Sequence, residues 1–248
     1  MKRGFYTIMS AQFFSSLADN ALFVAAVELL RTSGAPEWQR AALVPMFALF
    51  YVVLAPFVGA FADALPKGRV MFFSNAIKIV GCLMMLFGSH PLIAYAVVGL
   101  GAAAYSPAKY GILTELLPAS QLVKANGWIE GLTIASIILG VLLGGQLVGQ
   151  HLSVLLLSID IPLIDTGVDT AAESAIAALI LVYMVAAWFN TRIPHTGVEM
   201  RPLRTNPSRN VLANTLALLP DFWACNNRLW RDKLGQISLS TTTLFWGA

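Results

Sequence analysis

Charge-free apolar runs recur along this chain and set its plan. Residues 41–62 carry no charge over 22 positions, residues 131–150 none over 20, and residues 174–191 none over 18. A membrane-crossing helix needs about 20 mostly apolar residues, since it rises 1.5 Å per residue through about 30 Å of hydrocarbon. Residues 5–30, 70–88 and 92–113 are also long enough and carry one or two charges each. The pattern predicts six transmembrane helices. A seventh uncharged run, residues 234–248, has 15 positions. It reaches only about 22 Å, so it reads as the unfinished start of a further span. Residues 152–159 are apolar but too short to cross. They suit an outer interfacial segment or an extension of the fifth helix.

The first run follows Met1-Lys2-Arg3 and so has the flank of a signal peptide. It is too long for one, and Asp19-Asn20 sits in its middle, so it is expected to stay as a helix. Lysine and arginine placement then sets orientation. With the N-terminus in the cytoplasm, the inner side holds Lys2, Arg3, Lys67, Arg69, Lys124, Arg192, Arg201, Arg204, Arg209, Arg228, Arg231 and Lys233. The outer side holds Arg31 and Arg40, while its loop at 150–173 carries acids and no lysine or arginine.

The expected plan is a six-helix lobe (1–191), a basic cytoplasmic central loop (192–233) and the start of a seventh helix (234–248). The loop's second half mixes Leu216, Leu219, Phe222, Trp223 and Trp230 with Asn and Arg. That suits a helix on the inner membrane face, basic side toward anionic headgroups. A solvated linker between two bundles fits the same residues.

Composition agrees with an all-α integral membrane protein. Hydrophobic residues make up 57% of the 248 positions and charged residues 12%, about half the share in a soluble domain. Cys82 and Cys225 lie far apart, and His90, His151 and His195 are scattered, so no zinc site is expected. No phosphate-cradling Gly-x-x-x-x-Gly-Lys-Ser/Thr loop is present, which disfavours ATP-driven transport. No cofactor and no nucleic-acid partner are expected.

Charges inside spans cost about 2.5–3.5 kcal/mol each at mid-bilayer, so each one marks a candidate site or a buried partner. Asp19, followed by Asn20, lies near the middle of the first helix. Lys78 is about 12 Å into the third. Lys109 is near the inner end of the fourth, and Glu130 about one and a half turns into the fifth. Asp19 suits substrate contact or ion coupling; Lys78 suits the same, or neutralisation of a buried carboxylate. Lys109 can snorkel to the interface, and Glu130 can pair with Lys124 or Lys109. Pro45 and Pro56 are expected to interrupt the second helix and Pro107 the fourth, after the small-residue run 99–104. Gly140, Gly144, Gly145 and Gly149 give the fifth helix a face for close packing.

Gly59-Ala-Phe-Ala-Asp63, with Gly68-Arg69 opening the next helix, resembles the loop signature of the major facilitator superfamily, Gly-x-x-x-Asp-x-x-Gly-Arg. Four residues, Ala64 to Lys67, stand where two are usual. The resemblance implies a gating loop of Gly59, Asp63, Gly68 and Arg69, with an Asp63–Arg69 latch. The fifth helix has Val141 where the antiporter signature has a proline, so antiport is not supported.

Finer matches are Asp19-Asn20-Ala21-Leu22, Tyr105-Ser106-Pro107-Ala108-Lys109-Tyr110-Gly111-Ile112-Leu113, Leu122-Val123-Lys124-Ala125-Asn126-Gly127 and Leu244-Phe245-Trp246-Gly247-Ala248. Together they resemble the bacterial lysophospholipid transporter family, a branch of that superfamily. The resemblance implies a lobe built as a 3+3 inverted repeat, in the inner membrane of a Gram-negative cell. It implies flipping of lysophospholipids such as lyso-phosphatidylethanolamine to the cytoplasmic leaflet. An acyltransferase, separate or fused, would restore the second chain there. Cations at Lys78 and Lys109 suit the phosphate, and carboxylates at Asp19 and Glu130 an ammonium. Tyr105, Tyr110, Asn126 and Asn20 are further candidates.

A facilitator for a small polar or drug-like solute would carry intramembrane charges too. An acyltransferase enzyme would need His-x-x-x-x-Asp. The residues five along from His90, His151 and His195 are Tyr95, Leu156 and Met200, so catalysis is not expected.

Overall fold

A computed structural model of the protein describes residues 3–158, 168–194, 196–198 and 216–247. The helices in chain order are α1 (Arg3–Thr32), α2 (Glu37–Val53), α3 (Ala55–Ala64), α4 (Lys67–Leu86), α5 (Pro91–Leu116), α6 (Ala119–Val148), α7 (Gln150–Leu157), α8 (Ala171–Thr191), α9 (Leu218–Arg231) and α10 (Lys233–Gly247). No strand occurs among the described residues. Five helices, α1, α4, α5, α6 and α8, are long and apolar enough to cross a membrane, and the bent pair α2–α3 makes a sixth span. The protein is therefore a multi-pass membrane protein.

Proline breaks one span and not another. α2 and α3 meet at Leu54 with a bend of 64°. Pro56 stands in the first turn of α3, where its missing N–H is tolerated and its ring excludes the carbonyl four residues back. Pro45 and Pro107, in contrast, lie inside continuous helices. The expected interruption at Pro107 does not occur. Packing holds α5 in place: Gly99 lies against the backbone of Phe47, and a Cβ on Gly101 would stand 2.5 Å from the Ser74 carbonyl oxygen.

The pairing of helices reveals an internal symmetry. Within Met1–Met200, α1 packs on α6 and α8, α4 packs on α5 and α8, and α2 packs on α5. Exchanging the first three spans for the last three turns the α1·α6 pair into α5·α2 and the α1·α8 pair into α5·α4. The α4·α8 pair maps onto itself. Three spans per repeat is an odd number, so the second repeat enters from the opposite side. This is a 3+3 inverted repeat.

Glycines let α6 approach α1. Cβ atoms on Gly140 and Gly144 would stand 2.6 and 2.7 Å from the Leu17 and Ala21 carbonyl oxygens. Gly145 faces open space instead, so the expected single glycine face is divided. Gly149 takes an extended conformation (φ −71°, ψ 152°), which ends α6 and makes α7 a separate short helix. α8 starts on a capping box, Thr170 with Glu173, which satisfies otherwise orphaned N–H groups.

Arg201–Ala248 forms a second compact unit, and its described part is α9 and α10. Asp232 separates these two helices in an extended conformation.

Candidate functional site

Three polar clusters stand out among the described residues of the first unit. The deepest joins α1, α4 and α8. Lys78 Nζ donates to Asp19 Oδ2 at 2.7 Å and to Ser15 Oγ at 2.9 Å. Ser15 in turn donates to Asn75 Oδ1 at 2.8 Å, and Tyr183 Oη donates to the other Asp19 oxygen at 2.7 Å. Lys78 is 1% exposed, and its ammonium lies 5.2 and 5.6 Å from the ring centroids of Tyr105 and Tyr183. Burying the lysine and half-burying the aspartate is tolerable because each charge has a partner and hydrogen bonds.

Of the two roles expected for Lys78, the structure displays neutralisation of a carboxylate, the part-buried Asp19. Asn20 does not join the pair: its side-chain amide donates to the Ser16 carbonyl one turn back, at 2.8 Å. Tyr105 is buried beside Lys78, and its hydroxyl has no hydrogen-bond partner among the described residues.

The second cluster lies between α5 and α6. Tyr110 Oη donates to Glu130 Oε1 at 2.7 Å. Lys109 Nζ sits 4.4 Å above the Tyr110 ring. Lys109 is 7% exposed, and no carboxylate among the described residues lies within 4 Å of its nitrogen. Glu130 Oε2 is buried without a partner. One phenol ring thus separates a buried cation from a half-satisfied carboxylate. The expected ion pair of Glu130 with Lys109 or Lys124 is absent among the described contacts. α6 begins at Ala119, so Glu130 lies about three turns in, deeper than the sequence suggested. Asn126, one turn before it on the same face, is exposed and makes no hydrogen bond to a described residue.

The third cluster corrects the expected latch. Asp63 Oδ1 accepts from Lys67 Nζ at 2.6 Å. That nitrogen also donates to the Ala62 carbonyl at 2.7 Å and stands 3.8 Å from Glu115 Oε1. Thr196 Oγ1 donates to the other Glu115 oxygen at 2.6 Å. Arg69 points outward, exposed and without an ion pair to a described residue. The four-residue spacer explains the exchange. The chain turns through extended Leu65 and Pro66 between α3 and α4, so the first residue of α4, Lys67, meets Asp63 at the end of α3, and Arg69 is carried on past it. Gly68 packs 3.2 Å from the Asn190 carbonyl, measured to a built Cβ, and Gly59 faces open space.

Sequence reasoning missed Ser15, Asn75, Tyr183, Lys67 and Glu115. Two were within reach: Ser15 precedes Asp19 by four and Asn75 precedes Lys78 by three, the spacings that share a helix face. Tyr183 left no signal, because its contact spans 164 residues of chain.

The family model described as Major Facilitator Superfamily matches residues 8–247. The Lysophospholipid transporter LplT of Yersinia enterocolitica serotype O:8 / biotype 1B is 42% identical over all 248 residues, which cover 54% of that relative. The proteins of the same name from Yersinia pestis (strain Pestoides F) and Yersinia pseudotuberculosis serotype O:3 (strain YPIII) are 39% identical over the same 248 residues, again 54% of each. The chain spans about half the length of these curated relatives.

Proposed function

The chain belongs to the major facilitator superfamily, and from that premise we propose that it forms part of a secondary-type transporter for lysophospholipids. The observation that carries the proposal is the Lys109–Tyr110–Glu130 cluster, read beside relatives that are named for this transport. A lyso-phosphatidylethanolamine headgroup bears a phosphate and an ammonium. Lys109 supplies a desolvated cation for the first, and the free Glu130 oxygen supplies an acceptor for the second. Asn126 and Tyr105 add hydrogen-bonding capacity near these charges. Asp19 and Lys78 act as a coupling pair, because either can meet a headgroup only when their mutual bond opens. The loop from Gly59 to Arg69 gates the movement, with Lys67 in the role first given to Arg69.

The protein sits in the bacterial inner membrane with its N-terminus in the cytoplasm, a reading supported by the basic bias of the loops. Residues 1–191 serve as the N-terminal lobe, 192–233 as the central loop and 234–248 as the start of the next span. Cargo delivered to the cytoplasmic leaflet is reacylated by an acyltransferase, separate or fused.

The test is uptake of labelled lyso-phosphatidylethanolamine into spheroplasts carrying the full-length protein. Uptake above that of empty cells is expected, and Lys109→Ala at equal abundance is expected to abolish it. Normal uptake by Lys109→Ala removes the headgroup assignment. No uptake by the unaltered protein removes the substrate.

A further inference from the structure

The second unit carries an amphipathic helix to which the proposed function assigns no contact with the cargo. At 3.6 residues per turn, Leu218, Phe222, Cys225 and Leu229 of α9 fall along one side. Leu219, Trp223 and Trp230 widen that stripe along one edge, Asp221 and Arg228 line its other edge, and Asn227 and Arg231 lie opposite. No residue of α9 is buried, and Trp223 and Trp230 are 64% and 60% exposed. Such a stripe in water would be costly, since large side chains are normally removed from solvent.

We propose that α9 lies along the membrane surface and binds anionic phospholipid headgroups through Arg228, Arg231 and Lys233. Two observations select a lipid surface as the occupant. First, the edge composition fits the interface: both tryptophans lie along one edge of the apolar stripe where ring meets headgroup, and Arg228 lies along the other edge with Arg231 behind it. Second, the connection to α10 is short and tied. Asp232 Oδ2 accepts from the Gly235 N–H at 3.1 Å, and Gln236 Nε2 donates to the Trp230 carbonyl at 2.8 Å. Gly235 itself packs against the Leu229 carbonyl, leaving no room for a Cβ. α10 is uncharged after Lys233, so a start at the membrane boundary holds α9 at headgroup depth. Each basic side chain near an anionic surface strengthens attachment about fivefold.

The protein provides its own probe site. Cys225 is exposed on the apolar stripe, and Cys82 is buried. A nitroxide attached at Cys225 reports depth through its collisions with oxygen and with a water-soluble nickel complex. The full chain is placed in phosphatidylcholine vesicles with or without phosphatidylglycerol, and a Cys225→Ala chain sets the background. Phosphatidylglycerol is expected to shift the label from the nickel-accessible to the oxygen-accessible range. Replacing Arg228, Arg231 and Lys233 with Gln is expected to remove that shift while Cys82 stays unlabelled. A label that stays nickel-accessible in anionic vesicles overturns the proposal in favour of a soluble partner or none. Equal burial in both vesicles overturns the role of the basic residues.

Discussion

The Asp19–Lys78 pair allows a quantitative test of how the membrane core tolerates charge. Lys78 is 1% exposed, whereas the Asp19 side chain keeps 18% of its surface. The two single substitutions should therefore differ. Asp19→Asn leaves a buried ammonium with Ser15 and two aromatic rings, and breaking a buried pair in this way costs about 3 kcal/mol. Lys78→Met leaves a carboxylate that still accepts from Tyr183 at 2.7 Å and still reaches solvent. The loss there is about 1.5 kcal/mol, the value of one charge-assisted hydrogen bond. With both changes no charge is stranded. The double variant is expected to lose about 2 kcal/mol, well below the sum of about 4.5, a coupling of about 2.5 kcal/mol. Denaturant unfolding of the purified protein in detergent, followed by helical circular dichroism, measures all four corners of the cycle. Additivity within about 0.5 kcal/mol would refute the pairing. A costlier Lys78→Met than Asp19→Asn would refute the assignment of lysine as the more deeply buried partner.

Two further outcomes follow from the loop and the glycine contacts. Lys67→Met removes a cation held by the Asp63 carboxylate and the Ala62 carbonyl, and should cost about 1.5–3 kcal/mol of unfolding free energy. Arg69→Gln should stay within about 0.5 kcal/mol, as for an exposed unpaired side chain, and the reverse order in the same unfolding assay would restore the Asp63–Arg69 latch. Gly140→Leu drives a side chain into the α1 backbone, where even a Cβ would stand 2.6 Å from the Leu17 oxygen, and should lower stability by at least about 1–3 kcal/mol. Gly145→Ala meets open space and should be neutral or slightly stabilising, so equal melting losses for the two variants would remove the close packing of α6 on α1.

Features set by local chemistry were legible in the sequence, and features set by long-range packing were not. The spans followed from runs of uncharged residues, because a helix in hydrocarbon satisfies its own backbone whatever its neighbours. Asp19 and Lys78 stood out because each is expensive on its own. Their union did not stand out: 59 residues separate them, and only the α1·α4·α8 meeting point brings them together. Lys67 failed for a different reason. The family pattern draws attention to Arg69, while the turn at Leu65 and Pro66 between α3 and α4 brings Lys67 back onto Asp63. Pro107 shows the same limit, since α5 keeps its course through neighbours that a linear reading cannot weigh.

The two intramembrane lysines end in opposite electrostatic positions, and this difference orders the candidate roles. Lys78 has a carboxylate, a hydroxyl and two aromatic rings around its ammonium. Any ligand phosphate drawn to it must first displace Asp19, and so must supply more than the pair already provides. Lys109 has a ring face and no carboxylate within 4 Å among the described residues. A phosphate arriving there gains an uncompensated cation and breaks nothing. The free Glu130 oxygen across Tyr110 offers the matching acceptor for an ammonium. In the proposed function, recognition is therefore assigned to Lys109 and Glu130. The same proposal gives the Asp19–Lys78 pair, closed at 2.7 Å, the part of the element that a transport cycle opens and closes.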